Sequence, residues 1–79
     1  MGASIYWQPL SGLPVVVGAK SYFVEALRRA GLLDVPVGAK DVATLRGMAA
    51  AADDADARSA FDALADAASM RPIRIWAEY

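Results

Sequence analysis

The sequence contains no cysteine and no histidine. Without cysteine the chain has no disulfide, no zinc knuckle and no thiol nucleophile. Without histidine it lacks the side chain that most often serves as a general base or a metal ligand. These two absences exclude the common zinc sites and the usual nucleophile–histidine arrangements. We therefore expect a protein without enzymatic activity and without a bound cofactor or metal ion.

Neither sign of charge dominates, and long hydrophobic runs are absent. Eight basic and nine acidic residues give a formal net charge of −1, and the pI is near 5.1. Such a chain is a poor electrostatic match for nucleic acid or for an anionic membrane. The first nine residues lack the basic and apolar segments of a signal peptide, and no run is long enough to span a membrane. The expected location is the cytoplasm.

What the chain does have is apolar residues, which make up 57% of its 79 positions. Eighteen of them are alanine, so the larger side chains that build a core are fewer than the percentage suggests. A chain of this length forms one domain, here residues 1–79. β-branched and aromatic residues cluster in three segments. In the first and last of these, residues for opposite sheet faces alternate, and the middle one contains three consecutive valines. We therefore predict strands at residues 4–8, 13–17 and 73–79.

Three helices are predicted between the second and third strands. Ser21 is suited to capping a first helix over residues 21–30, and Gly31 ends it. A second helix begins near Asp41, and Gly47 within it indicates a close contact between helices. An acidic turn begins the third helix. The apolar segment 32–38 is interrupted by proline and glycine and is predicted to be a loop against the core.

The predicted class is therefore α+β, with the order β-β-α-α-α-β. We expect a small three-stranded, largely antiparallel sheet in which the N- and C-terminal strands are paired. Three helices cover one face of this sheet. A terminal strand is poorly ordered unless it is paired, and the exposed edges of so small a sheet offer a route to a homodimer.

Aromatic residues supply the first candidate functional site. Tyr6 and Trp76 fall on the strand faces opposite the apolar side chains, and Arg74 lies on the same face as Trp76. Exposed aromatic and arginine side chains together are typical of protein interfaces. Two alternatives remain: both faces are buried and the rings are cross-strand pairs, or the rings stack on nucleic-acid bases, which the acidic pI disfavours. An unknown protein partner, or a second copy of the chain, is the leading expectation.

A second candidate lies where the valine strand leads into the first helix. Gly18, Lys20 and Ser21 suggest a weak anion site at the helix N-terminus. They do not form a P-loop, because Ala19 separates the glycine from the lysine. The four residues from Val17 to Lys20 recur at 37–40, which we interpret as two similar entries into a helix. A solvated lysine is the simpler reading of Lys20.

Acidic residues supply two weaker candidates. Asp53, Asp54 and Asp56 offer oxygen ligands, but the twelve-residue calcium-loop pattern is missing, and a helix cap is the favoured reading. Asp62 and Asp66 are spaced as a carboxylate pair, although they lie beside the apolar face and are better read as solvated. Neither cluster predicts a metal site or a catalytic acid.

Several segments together resemble a known group of proteins. These are residues 5–7, 13–19, 45–50 and 75–79, together with Phe23. They are similar to short bacterial and prophage proteins that have no assigned activity, over nearly the whole chain. The resemblance implies relatives but no activity, cofactor or site residue.

Overall fold

The computed structural model describes residues 4–9, 15–18 and 21–78. Four strands and three α-helices follow one another along the chain. In order they are β1 (Ser4–Pro9), β2 (Val15–Gly18), α1 (Ser21–Arg29), β3 (Pro36–Val37), α2 (Val42–Ala51), α3 (Ala55–Met70) and β4 (Ile73–Glu78), and a 3₁₀ turn over Ala39–Asp41 precedes α2. The predicted α+β class is confirmed, and the three predicted strands and three predicted helices occur in the predicted order. The sheet has four strands and not the three predicted, because β3 lies between α1 and α2.

The strands form one antiparallel sheet in the order β2-β1-β4-β3. The first and last strands are neighbours, as expected, and they pair along their whole length from Ser4↔Glu78 to Pro9↔Ile73. The segment 32–38, predicted as a loop, contributes the two-residue strand β3 to the edge beside β4. This short strand escapes a search for alternation, because two residues are too few to show a pattern.

The hydrophobic core lies between the helices and one face of the sheet. Ile5, Ile73 and Ile75 are fully buried on the sheet side, and Trp7 and Ala77 pack partly against them. α3 contributes the largest helical share of buried residues: Ala57, Ala60, Phe61, Leu64, Ala65, Ala67 and Ala68. Its five buried alanines let neighbouring elements approach the helix closely, because they add no large side chains. The alanine-rich composition is therefore used in the core, and not only on the surface.

The ends of α1 and α3 show how local sequence sets the helix boundaries. Gly31 has a positive φ of 73°, and its N–H and that of Leu32 donate to the carbonyls of Arg28 and Leu27 over 3.0 Å each. This is the Schellman arrangement, and the predicted stop at Gly31 is confirmed. At the start of α3, the Asp54 carboxylate accepts a hydrogen bond of 2.8 Å from the Asp56 N–H.

One expectation about the helices is wrong. Gly47 does not mark a close contact between helices, because a Cβ built on it would meet nothing within 4 Å. It lies on an exposed part of α2. None of the helices in the described part of the chain combines the length and the hydropathy needed to cross a membrane.

Candidate functional site

Side chains on the sheet face away from the helices form the candidate site, which we call the open face. It comprises Tyr6, Gln8, Arg74, Trp76 and Glu78. Side chains alternate along β1 and β4, so these residues point away from the buried isoleucines. Tyr6, Gln8 and Trp76 are half-buried, and Arg74 and Glu78 are exposed. Of the alternative in which both faces are buried and the rings are cross-strand pairs, the pairing of Tyr6 with Trp76 is confirmed, whereas full burial is not found for the residues of the open face.

Tyr6 and Trp76 stand directly opposite each other across β1 and β4. Their ring centroids are 5.6 Å apart and their planes differ by 12°, which is the geometry of a stacked pair. Each ring covers part of the other, and both residues are half-buried. Stacking also restricts both rings, so the pair presents a defined surface with little side-chain entropy left to lose on binding.

Hydrogen bonding fixes the indole further. Trp76 Nε1–H donates to Glu78 Oε2 over 3.2 Å, and the two residues lie on the same side of β4, as their spacing requires. The only polar group of the indole is thereby satisfied within the strand. The remaining surface of Trp76 is apolar and suited to contact with another apolar group.

Arg74 adds a positive charge beside the aromatic pair. Its side chain is 60% exposed, and Nη2 lies 3.7 Å from Oδ1 of Asp34. Asp34 is held near the sheet because its N–H donates to the Ile75 carbonyl over 2.8 Å. Its backbone has a φ of 60°, a conformation that aspartate tolerates better than most residues. An exposed pair at this distance leaves Arg74 able to bind other groups.

Next to the aromatic pair the surface is concave. A depression of about 360 Å³ is lined by Gln8, Asp34, Arg74, Trp76 and Ala77. Among the described residues, its lining combines an indole, an amide and two opposite charges. Such a set of groups can bind a polar or mixed surface.

The structure brings together all three residues of the predicted interface, Tyr6, Arg74 and Trp76. Gln8 and Glu78 share that face by the same alternation. Asp34 was missed, because its position depends on the turn that leads into β3 and not on any strand pattern. The available signal was an aspartate two residues before a proline, which indicates a turn but not where the turn packs.

The second predicted site is the anion site at the N-terminus of α1, and only part of it lies within the described residues. Gly18 is the last residue of β2 and Ser21 is the first residue of α1, whereas Lys20 and the Ser21 side chain lie outside the described residues. The anion site therefore stays a prediction. Titration with inorganic phosphate, read from the amide signals of these residues, would test it.

The two acidic clusters have structural partners. The carboxylate of Asp54 is the N-cap of α3, as the cap reading predicted. Asp62 and Asp66 both bind Arg46 of α2, at 3.1 Å and 2.7 Å. In the described part of the chain, no three carboxylates are arranged to hold a metal ion.

Hydrogen bonds to Asp66 and Asp62 raise the pKa of Arg46 above its ordinary value. A raised pKa stabilises the fold at every pH below the ordinary pKa of arginine, and the effect disappears only as the pH rises through the folded-state value. Because all three side chains are largely exposed, the bridge adds little to stability. Asp62 and Asp66 are therefore engaged in joining α2 to α3.

Comparison with known proteins adds no further assignment: no family model, no curated protein and no solved structure shows significant similarity to this chain.

Proposed function

We propose that this chain is a non-enzymatic protein-interaction module, which binds its partner through the open face. The partner is another protein or a second copy of the chain. The stacked pair of Tyr6 and Trp76 is the observation that carries this proposal. It lies half-exposed on a sheet face that no helix of the described part covers, beside the exposed Arg74. We also propose that the protein is located in the cytoplasm.

The residue types support a protein partner. Tryptophan, tyrosine and arginine are the residues most enriched among those that dominate binding energy at protein interfaces. Here they adjoin one another on the open face, where the two rings stack. Asp34 and Glu78 place negative charge at either side of the patch, so it suits a partner surface of mixed charge.

Replacing the indole tests the proposal directly. We expect Trp76→Ser to abolish self-association or capture of the partner from the native cell, while thermal unfolding stays cooperative. Met70→Ser is the matched control, because Met70 is 79% exposed at the end of α3, away from the open face. Equal binding by both variants would contradict the proposal. Loss of the folding transition in Trp76→Ser would instead show that the indole is structural.

The homodimer is tested separately by light scattering coupled to size-exclusion chromatography. A dimer mass that reverts to a monomer in Trp76→Ser supports self-association through the open face. A monomer mass at high micromolar concentration removes the homodimer and leaves a different protein as the partner.

A nucleic-acid partner is the second candidate, because stacked aromatic rings on a sheet can also bind single-stranded bases. The charge around the rings disfavours it, since Glu78 lies beside Trp76 and Asp34 beside Arg74, and the whole chain has a formal net charge of −1. This candidate predicts retardation of a single-stranded oligonucleotide in a gel, which weakens as salt is added. No retardation at low salt would eliminate it.

A further inference from the structure

The outer edge of β4, on the side away from β1, is open over part of its length. β3 lies beside this edge, but its pairing with β4 ends at Arg74. The next bond is made by the Asp34 N–H, which donates to the Ile75 carbonyl over 2.8 Å. In the described part of the chain, no strand lies beside residues 76–78 on this side. We call these three residues of β4 the free edge.

The backbone groups of the free edge point in a direction that allows pairing. In an antiparallel ladder, the N–H and C=O of one residue point to the same side, and that side alternates from residue to residue. The Ile75 carbonyl accepts from Asp34 and therefore points toward the outer edge. The N–H and C=O of Ala77, two residues later, point the same way. Among the described residues, no strand is placed to bind them.

The surface beside the free edge is concave. The depression of about 360 Å³ on the open face is lined by Gln8, Asp34, Arg74, Trp76 and Ala77. The Ala77 side chain belongs to the face that the helices cover, because side chains alternate along the strand. The depression therefore reaches the edge of β4 at Ala77. A segment laid along this edge has room beside it on the side of the open face.

Backbone groups that point outward from a strand select an extended segment. A helix uses its N–H and C=O groups within itself, whereas an extended segment presents both groups at the spacing that Ala77 requires. Peptides add to sheets at exposed strand edges of this kind. An antiparallel direction matches the strand pairs described for this sheet.

Charge and shape restrict the sequence of that segment. Glu78 is exposed, and none of the ion pairs between described residues involves it. Its hydrogen bond from the Trp76 indole comes from a neutral donor, so a lysine or arginine opposite Glu78 is favourable. A β-branched residue opposite Trp76 makes a favourable cross-strand pair. An apolar residue opposite the half-buried Ala77 extends the core.

A second copy of the chain is a poorer occupant of the free edge. Self-pairing centred on Ala77 places the Glu78 residues of the two copies on a diagonal of about 7–8 Å, where their like charges repel. Self-pairing centred on Trp76 instead sets Arg74 opposite Glu78, but β3 already occupies the edge beside Arg74. The free edge therefore suits a segment of a different protein.

We propose that the free edge binds an extended segment of a partner protein, which adds to the sheet as an antiparallel strand beside β4. From its N-terminal side, the segment carries a lysine or arginine opposite Glu78, an apolar residue opposite Ala77 and a β-branched residue opposite Trp76. This interaction goes beyond the function proposed for the open face, because it is made by the backbone of β4 and by the charge of Glu78.

The probe is a short synthetic peptide with blocked ends that contains the sequence Lys-Val-Thr. It is titrated into the isotopically labelled protein, and amide signals and hydrogen exchange are recorded. In the free protein, we expect slow exchange at the Trp76 amide, which faces β1, and rapid exchange at the Ala77 amide. A saturating amount of peptide should slow exchange at Ala77 by about tenfold or more.

Methylation of single peptide nitrogens separates backbone pairing from side-chain contact. N-methylation of the valine removes the N–H that binds the Ala77 carbonyl, and it should weaken binding by about tenfold. N-methylation of the threonine is the matched control, because that N–H points away from β4. This control should leave binding unaltered.

The two glutamates of the chain provide a matched pair of variants. Glu78→Gln removes the charge opposite the peptide lysine at nearly constant volume and should weaken binding several-fold. Glu25→Gln makes the same change in α1 and should leave binding unaltered. Neither substitution disturbs the backbone, so both variants are expected to fold.

A backbone variant of the protein complements the methylated peptides. Ala77→Pro removes the N–H that points outward, and a strand tolerates proline where that N–H is not part of the ladder. Binding, followed at the Glu78 amide signal, should weaken by about tenfold. If this variant does not fold, the methylated peptides still test the same hydrogen-bonded pair.

Four results would each overturn the proposal: no saturable binding, an Ala77 amide that is already protected in the free protein, equal binding of the two methylated peptides, or equal binding by the two glutamine variants. Binding that shifts the Tyr6 and Trp76 signals while Ala77 still exchanges rapidly would also overturn it, yet it would support the open face. A dimer mass that reverts to a monomer in Ala77→Pro would identify a second copy as the occupant and contradict the proposal.

Discussion

The two faces of the sheet are built from the same strands but from different kinds of residue. Along β4, Ile73 and Ile75 are fully buried beneath the helices, whereas Arg74 and Trp76 reach the solvent on the open face. Because successive side chains point to opposite faces, neighbouring residues serve separate purposes. With the open face proposed as the binding surface, the comparison predicts that stability and recognition are divided between the faces, so that a substitution alters one with little effect on the other.

The largest expected effect tests the covered face. Replacing Ile75 with alanine leaves a cavity beneath the helices and should lower the free energy of unfolding by about 2–5 kcal/mol. That is a large fraction of the total stability of a small domain, which is about 5–15 kcal/mol. Urea denaturation measures it. If Ile75→Ala costs no more than a substitution on the open face, the division between faces does not hold.

A smaller effect tests α3, the helix that contributes most buried residues to the covered face. Asp54→Ala removes the N-cap of α3 and should cost about 1 kcal/mol of unfolding free energy. Asp53→Ala is the control, because Asp53 is adjacent and exposed but is not the cap residue. Urea midpoints of the two variants give the comparison. Equal midpoints would show that the hydrogen bond to the Asp56 N–H contributes nothing measurable.

The aromatic pair should contribute less to stability than to binding. Trp76→Leu keeps an apolar residue but removes the stacked contact, and the pairwise term lost should be about 0.5–1.5 kcal/mol. A double-mutant cycle with Tyr6→Leu isolates that coupling energy. Additive effects of the two substitutions would mean that the rings do not stabilise each other. That result would contradict the statement that stacking preorganises the open face.

The smallest effect is expected at Arg74. Its side chain is 60% exposed and its carboxylate neighbour is 3.7 Å away, so Arg74→Gln should change the free energy of unfolding by less than about 0.5 kcal/mol. In contrast, we expect binding of the partner to weaken. A large loss of stability with unchanged binding would reverse the assignment of roles to the two faces.

Local and periodic features of this fold were predictable from the sequence. The end of α1 depends on Gly31 and its immediate neighbours, and the cap of α3 depends on an aspartate next to a helical run. Strand alternation also predicted that Tyr6 and Trp76 point away from the isoleucines. Each of these signals extends over only a few residues, so it can be recognised in the sequence without knowledge of the tertiary structure.

Features that depend on distant residues were not predictable in the same way. Alternation assigns Tyr6 and Trp76 to a face, but it does not set the register that stacks one ring on the other. The place of Asp34 beside Arg74 depends on β3, which has only two residues. The bridge from Arg46 to Asp62 and Asp66 joins two helices, and its partners become evident only when α2 and α3 are packed together.

The place of β4 within the sheet has a consequence for how the chain folds. β4 is the last described element along the chain, yet it lies between β1 and β3 and pairs with the first strand. Pairs so distant in sequence close late, because the entropy of a long loop must be lost first. β1 and β3 both pair with β4, so neither of these two strand pairs can form before β4 has been synthesised. Until β4 joins the sheet, one edge of β1 and the facing edge of β3 stay open to pairing with other strands.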